Sequence, residues 1–538
     1  MSFFQRIQPK QWGVLIIFSI LLAYVIYYSN TSKETDTNKE HLFEQKTMIV
    51  GLDTKVTTLD PRLIGGDPNS QYLEELIYSP LISFDENGNI KFVLADKIVS
   101  DDGKNWRIHL RKKILFRNGK ELTAEDVIAT YLFLMNPSKD FPQSPRKAAF
   151  SEIETMRSLH GHTLEIVLKM PDASFISNLV IGILPKEALS RAPNSLFDSG
   201  FESGPFYITA LKDTLIHLKK NENYNVDSPA QMDDILFKII PDSNTRFAAL
   251  SKGDIDFIQN SIDPDKLPIV ESSMKDKFKI QKKTRLATTY IGFNFKDPIL
   301  QNNKIREAIS YAIDRETILK YRLHSNETPA TGMFPKNNFY YDDDLPKIHF
   351  DKEKSKKLIQ ESGLKTPIHL TLKLPHTNKS NVEVAKVLAS QLNEVGIQMS
   401  VEPLENGIFM DQLKKGLIQT WLSVWVGFKD PDHLRFVFSS NMTPPLGGNR
   451  GFFSDKRIDE LLEQGRVAQI PNQRKIIYNT AQQFLFEKKP YVYLWHNTNI
   501  TILKKEIRNY TVYADGRFAS FSKVTKTPET TKFPGNKI

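Results

Sequence analysis

Thr420-Trp-Leu-Ser-Val-Trp-Val-Gly-Phe428 alternates as a β-strand whose two faces carry different chemistry. Leu422, Val424, Val426 and Phe428 fall on one face, which is apolar and expected in a core. Trp421, Ser423, Trp425 and Gly427 fall on the other. That second face combines large aromatics, a hydroxyl and a glycine that permits close backbone approach. It fits either the wall of a ligand cleft or a surface packed against a covering helix.

Other strand-like runs are Thr47-Met-Ile-Val-Gly-Leu52, Asn105-Trp-Arg-Ile-His-Leu110 and Thr163-Leu-Glu-Ile-Val-Leu168, the last two at period two. Asp85-Glu-Asn-Gly-Asn89 and Asp101-Asp-Gly-Lys104 read as turns. The first is no calcium loop, because its glycine stands fourth rather than sixth. Helices become prominent later. Ile305, Ala308, Ile309, Ala312 and Ile313 form one apolar face. Val384, Val387, Leu388, Leu392 and Val395 form another, with Gly396 placed as its C′ residue. Residues 351–362 form a third helix stopped by Gly363, and Ser454 is placed to cap a fourth that contains Ile458, Leu461 and Leu462. Thr123-Ala-Glu-Asp126 reads as a capped helix start. Strands and helices mixed without strict alternation imply a compound α/β architecture.

The chain has 538 residues, enough for about three domains. It has no cysteine, which excludes disulfides, Cys-ligated zinc, iron–sulfur clusters and a thiol nucleophile. Anchorage through a lipidated N-terminal cysteine is excluded with them. Its 72 Lys and Arg against 63 Asp and Glu leave +9, but the basic pairs are dispersed rather than striped. Nucleic acid is therefore not expected as a partner.

Residues 1–11 carry Arg6 and Lys10 and no acid, and 12–28 run uncharged for 17 residues between Trp12 and Tyr28. A helix of that length spans roughly 25 Å, at the short end for a bilayer. A cleaved signal peptide would have a shorter apolar core and a small-x-small site, whereas Tyr24, Val25, Ile26, Tyr27 and Tyr28 are bulky. The expectation is a cytoplasmic N-terminus (1–11), an uncleaved single-pass anchor in the cytoplasmic membrane (12–28), a polar tether (29–45) and the bulk of the chain outside.

Catalytic signatures are missing. The sequence contains no G-x-S-x-G, H-E-x-x-H, G-x-x-x-x-G-K-[ST] or G-x-G-x-x-G pattern. His160-Gly-His162 is the nearest approach to a metal site, and it sits in a hairpin loop with no acid cluster beside it. No catalytic residue, metal ligand or cofactor is assigned.

A series of short phrases resembles the family 5 extracellular solute-binding proteins, the oligopeptide- and dipeptide-binding class. In order these are Thr58-Leu-Asp-Pro61, Ile77-Tyr-Ser-Pro-Leu-Ile82, Leu94-Ala-Asp-Lys-Ile-Val-Ser-Asp-Asp-Gly-Lys104, His109-Leu-Arg-Lys-Lys-Ile-Leu-Phe-Arg-Asn-Gly119 and Leu122-Thr-Ala-Glu-Asp-Val127. Ser203-Gly-Pro-Phe-Tyr-Ile208, Leu250-Ser-Lys-Gly-Asp-Ile-Asp256, Gly292-Phe-Asn294 and Ile305-Arg-Glu-Ala-Ile-Ser-Tyr-Ala-Ile-Asp-Arg315 follow. Glu394-Val-Gly-Ile397, Asp430-Pro431 and Gly448-Asn449 extend the likeness.

The resemblance implies an α/β, two-lobed periplasmic-binding-protein fold (class II-like) with an additional domain, here preceded by the N-terminal transmembrane helix. Lobe I would comprise 46–81, 197–284 and 500–520. The additional domain would be 82–196, lobe II 285–499, and 521–538 a C-terminal tail. A peptide or other small solute would lie between the lobes, against the 420–428 strand. The implied ligand contacts are Trp421, Ser423, Trp425, Gly427 and Asp430, with Asn449 and Arg450 for a ligand carboxylate. Asn294 would touch ligand or tie the lobes together, and Thr58 belongs to a first-lobe strand facing the cleft. Separate ABC permease and ATPase subunits are the implied partners, and the chain itself is expected to be a monomer.

One position departs from the family. Many peptide binders carry an acid three residues before the D-P pair to hold the α-ammonium, and here that residue is Gly427. Either Asp430 or Asp432 substitutes, or the ligand has no free amino terminus. A tethered sensor or scaffold without transport is the alternative reading, and a membrane-bound hydrolase a third.

Overall fold

A computed structural model describes residues 46–527, apart from 66, 140, 198, 325, 377 and 378. The anchor, the tether and most of the C-terminal tail expected from the sequence lie outside the described residues. Among the described residues no helix is long and apolar enough to cross a membrane.

One 11-stranded sheet runs through the molecule. Its order is 397–404, 368–375, 420–426, 278–293, 491–504, 257–259, 47–52, 234–239, 215–220 and 206–212, with 328–329 pairing on the side of 491–504. Two strands are unusually long, Phe278–Phe293 and Tyr491–Lys504, and they are paired antiparallel through the centre. Phe278 to Thr284 pair with Lys504 to Thr498; Thr288 to Gly292 pair with His496 to Tyr491. Between these runs Arg285, Leu286 and Ala287 stand opposite Asn497 alone, so the ladder bulges there.

Leu286 at the bulge ties three other segments together. Its N–H donates to Ala514 O at 2.9 Å, and its carbonyl accepts from Gly427 N–H at 2.8 Å. Ala514 N–H in turn donates to Glu86 O at 3.1 Å. On the side before the bulge one core draws on Met48 to Tyr78, Leu184 to Phe257 and Leu503 to Val524. Phe521 and Val524 are fully buried in it, so the chain stays in this core beyond the boundary expected at 520. A four-stranded antiparallel sheet (95–99, 105–110, 163–168, 153–160) and the helix Ala124–Met135 make a separate core. The helix starts as expected: the Asp126 carboxylate accepts from both the Thr123 N–H and its hydroxyl, each at 2.9 Å.

Beyond the bulge the sheet is covered on both faces. Helices Asn303–Ala312, Arg315–Arg322, Lys352–Glu361 and Lys379–Asn393 cover one, with Ile305, Ile309, Leu388 and Leu422 in the shared core. Helices Asn406–Lys414, His433–Phe438, Lys456–Val467 and Pro471–Lys488 cover the other, around Trp421, Trp425 and Tyr491. The helix expected to be capped by Ser454 is capped one residue later. The Asp455 carboxylate accepts from Arg457 and Ile458 N–H, a carboxylate at N-cap being favoured by the helix dipole as well.

Trp421 shows how tight the second core is. It has no exposed surface, and its ring lies so close over Gly292 that a Cβ there would fall 2.2 Å from Cε2. We expect Gly292→Ala to cost about 3 kcal/mol through overpacking. Urea unfolding measures the loss, and Trp421→Leu in the same chain should recover part of it.

Candidate functional site

A cavity of about 1020 Å³ opens between the two halves of the sheet. Its walls come from helix Pro68–Ile77, from 146–152 and 172–180 of the four-stranded unit, from Arg285 at the bulge, and from 426–436 and 441–446 beyond it. Asp515 and Arg517 close the end nearest the bulge residues. On the far side the four-stranded unit meets the opposite lobe directly. Ala173 N–H donates to Arg466 O at 2.8 Å, Asp172 lies 3.6 Å from Arg466, and Ser177 Oγ donates to Asp430 at 3.3 Å.

Most charges lining the cavity are neutralised within the protein. Asp430 receives two bonds from Arg474, at 2.9 and 2.7 Å, a fork-to-carboxylate arrangement that is strong and directional. Asp432 accepts from Arg435 Nε at 3.1 Å and from the Tyr478 hydroxyl at 3.1 Å; burial pushes its carboxyl up, against the pull of Arg435. Glu74 is held by Arg146 at 2.7 and 2.5 Å, and Glu75 pairs with Arg517. Lys429 crosses from the 420–428 segment to Asp515 at 2.7 Å, and Arg517 Nε lies 2.6 Å from the same carboxylate. His433 stays neutral, because burial pushes its imidazole down to about 4.

The expected site residues separate into two groups. Gly427 and Asp430 line the cavity. Gly427 has φ +74°, and a Cβ built on it would meet nothing within 4 Å, so the space above it is open. Trp421 and Trp425 do not line the cavity. Both faces of this half of the sheet are covered by helices, so the Trp face is core. Trp425 sits one layer down, its ring centroid 5.1 Å from His433 and 6.1 Å from Phe436, and both of those residues do line the cavity. Arg450 lies over the Trp425 ring at 4.6 Å. Ser423 is half-buried opposite Tyr290 in the ladder.

Asn449, Asn294 and Thr58 are structural in their contacts. The Asn449 side chain donates to Ser439 O and Phe453 O and accepts from Phe453 N–H, clamping its loop. Asn294 donates to Gly416 O and Ile418 O within the second lobe. Thr58 is buried and donates to Asn194 at 2.5 Å. Conversely Val426, expected in the core, is half exposed and lines the cavity, because the strand ends there. Arg474, Arg466, Arg285 and Tyr72 were not singled out from the sequence. Arg474 lies 44 residues from its partner Asp430, and such a separation leaves no local pattern to read.

Among the described residues the strand Thr420–Val426 has an unpaired edge, whose end at Val426 reaches the cavity. Gly427 N–H donates to Leu286 O, so in the antiparallel ladder Trp425 and Ser423 also direct their backbone groups towards Phe278–Phe293. Val424 and Val426 then turn theirs to the opposite edge. There the strand Ile368–Pro375 covers only Thr420 and Trp421. Among the described residues two successive outward rungs are left without a strand partner.

Comparison with known proteins places this geometry. The sequence profile of "Bacterial extracellular solute-binding proteins, family 5 Middle" matches residues 89–443. The chain is similar to the oligopeptide-binding protein AppA of Bacillus subtilis, 27% identical over 92% of this chain and 95% of that one. It is also similar to the dipeptide-binding protein of Escherichia coli K12, 25% identical over 94% and 97%. The structure of the Bacillus protein in complex with a nonapeptide superposes with a TM-score of 0.74, covering 90% of this chain and 99% of that one at 25% identity.

Asp515 supplies a pH test of the charge cluster. Burial alone would raise its carboxyl, but Arg517 and Lys429 overcome that and hold it at about 2, below the ordinary 3.8. A depressed carboxyl contributes stability that is complete above about pH 4 and lost as pH falls towards 2. The shift corresponds to about 2 kcal/mol. The stability gap between wild type and Asp515→Asn should therefore narrow between pH 5 and pH 2, read by thermal unfolding across that range.

Proposed function

For a chain that belongs to the bacterial extracellular solute-binding proteins of family 5, as this one does, we propose capture of peptides in the cavity between the lobes. The observation that carries this reading is the unpaired edge at Val424 and Val426. An extended peptide added there would receive backbone hydrogen bonds of the kind a neighbouring strand supplies, independent of its sequence. Gly427 lets the peptide approach the turn closely, and a cavity of about 1020 Å³ leaves room for side chains. The lobes would close over the ligand by rotation at the bulge of the two long strands, the ligand stabilising the closed arrangement through its higher affinity for it.

Delivery to a separate ABC-type permease and its ATPase subunits is the role we assign to the closed complex. The relatives named as oligopeptide- and dipeptide-binding proteins support it. Residues 12–28 would hold the protein, as a monomer, to the outer face of the cytoplasmic membrane. Arg6 and Lys10 would remain inside.

Two measurements test these readings. Native mass spectrometry of the purified full chain should show a population of co-purified peptides, and N-methylation of a bound peptide should weaken binding several-fold at alternate positions only. No bound peptide, together with no thermal shift across peptide libraries, would rule the capture role out. For the anchor, the full chain should sediment with membranes and be accessible to external protease, while deletion of 1–28 should release it. Recovery of a soluble, N-terminally trimmed form would overturn the anchor.

A further inference from the structure

Arg285 differs from every other cation that lines the cavity. The lining cations are Arg146, Arg285, Lys429, Arg435, Arg466 and Arg517. Five of them pair with an acid within the protein, namely Glu74, Asp515, Asp432, Asp172 and Glu75 or Asp515. Among the described residues Arg285 makes no ion pair. Its guanidinium donates to the Tyr72 hydroxyl at 2.9 Å, which fixes its direction and leaves the Tyr72 proton available to another acceptor. Glu327 is within electrostatic reach of it, but burial pushes that carboxyl up to about 7, so it is not a full counter-charge at neutral pH.

The position of Arg285 gives this lone charge its meaning. It precedes Leu286, whose carbonyl accepts from Gly427 N–H, and Arg285 and Gly427 line the same cavity. The two acids of that neighbourhood, Asp430 and Asp432, are already occupied by Arg474 and Arg435. An ammonium placed there would meet a fixed positive charge and no free carboxylate, at a desolvation cost with nothing to offset it. A carboxylate would meet a preorganised guanidinium and a phenol donor.

We propose that Arg285 and Tyr72 form an anion subsite that takes a carboxylate of the bound ligand beside Gly427. The proposal rests on the peptide reading above and makes it narrower. Two sources supply such a group: the C-terminal carboxylate of a peptide, or a carboxylate carried on a blocked amino end. Glu152 is the one lining acid without an ion pair among the described residues, and it belongs to the four-stranded unit rather than to the Gly427 end.

The test uses the full chain and a random pentapeptide pool made without Asp or Glu, in three forms. One form is free at both ends, one is acetylated and amidated, and one is succinylated and amidated. Captured peptides are quantified by mass spectrometry for wild type, Arg285→Gln and Tyr72→Phe. The acetylated amide pool, which carries no carboxylate, should be captured about tenfold less than the best carboxylate-bearing form. Arg285→Gln should abolish that preference, and Tyr72→Phe should reduce it by a smaller factor. Preference for the free pool assigns the C-terminal carboxylate to the subsite; preference for the succinylated pool assigns a blocked amino end. Equal capture of all three forms by wild type, or a preference unchanged in both variants, overturns the proposal. Capture of none of the three overturns the peptide reading, and the subsite with it.

Discussion

The structure depends on one backbone junction, the pair of hydrogen bonds made by Leu286 with Ala514 and Gly427. Two strands run from one lobe into the other, and the ladder between them bulges at this residue. The ladder slips once more after Thr289, where Leu494 is the extra residue. The three residues facing Asn497 form the larger of the two irregularities. Because the same residue holds the C-terminal segment and the loop after Val426, the cavity walls are tied together at the bulge. The bulge and this end of the cavity are one feature.

Charge is organised around that feature with little left over. An ion pair removed from water loses much of its hydration, and the attraction between partners roughly compensates. Pairs such as Asp430 with Arg474 are therefore weak contributors to net stability, but breaking one would leave a costly orphan. Their effect at the cavity is to remove charge from its surface. What remains for a ligand is mostly backbone polarity and apolar contact, which suits recognition of main chain over side chain. Against such a quiet background a single uncompensated cation can set orientation.

Much of the fold was legible in the sequence because it depends on neighbours a few residues apart. The apolar stripe from Ile305 to Ala312, the Thr123–Asp126 box and the Thr47–Leu52 strand all follow from local spacing. The site was less legible, and the 420–428 segment shows why. Alternation separates two faces but does not say what covers each. The expectation of a cleft-facing Trp421 and Trp425 assumed one open face, whereas helices cover both. What reaches the cavity is instead the end of the strand, Val426 and Gly427, where alternation stops carrying information. Pairings such as Lys429 with Asp515 join residues remote in the chain and have no periodicity at all.

The unpaired rungs at Val424 and Val426 also bear on whether a second copy could extend this sheet. An open strand edge is a template that another copy can extend, and long flat edges of this kind seed aggregates. Here the unpaired stretch is only two rungs deep and ends in a left-handed glycine, and its Val426 end opens into a cavity whose far side is bridged from Asp172 to Arg466. A flexible segment of single chain can thread to it, but the rigid sheet of a second molecule cannot. The burial that shapes the pocket is thus also a sieve against self-association.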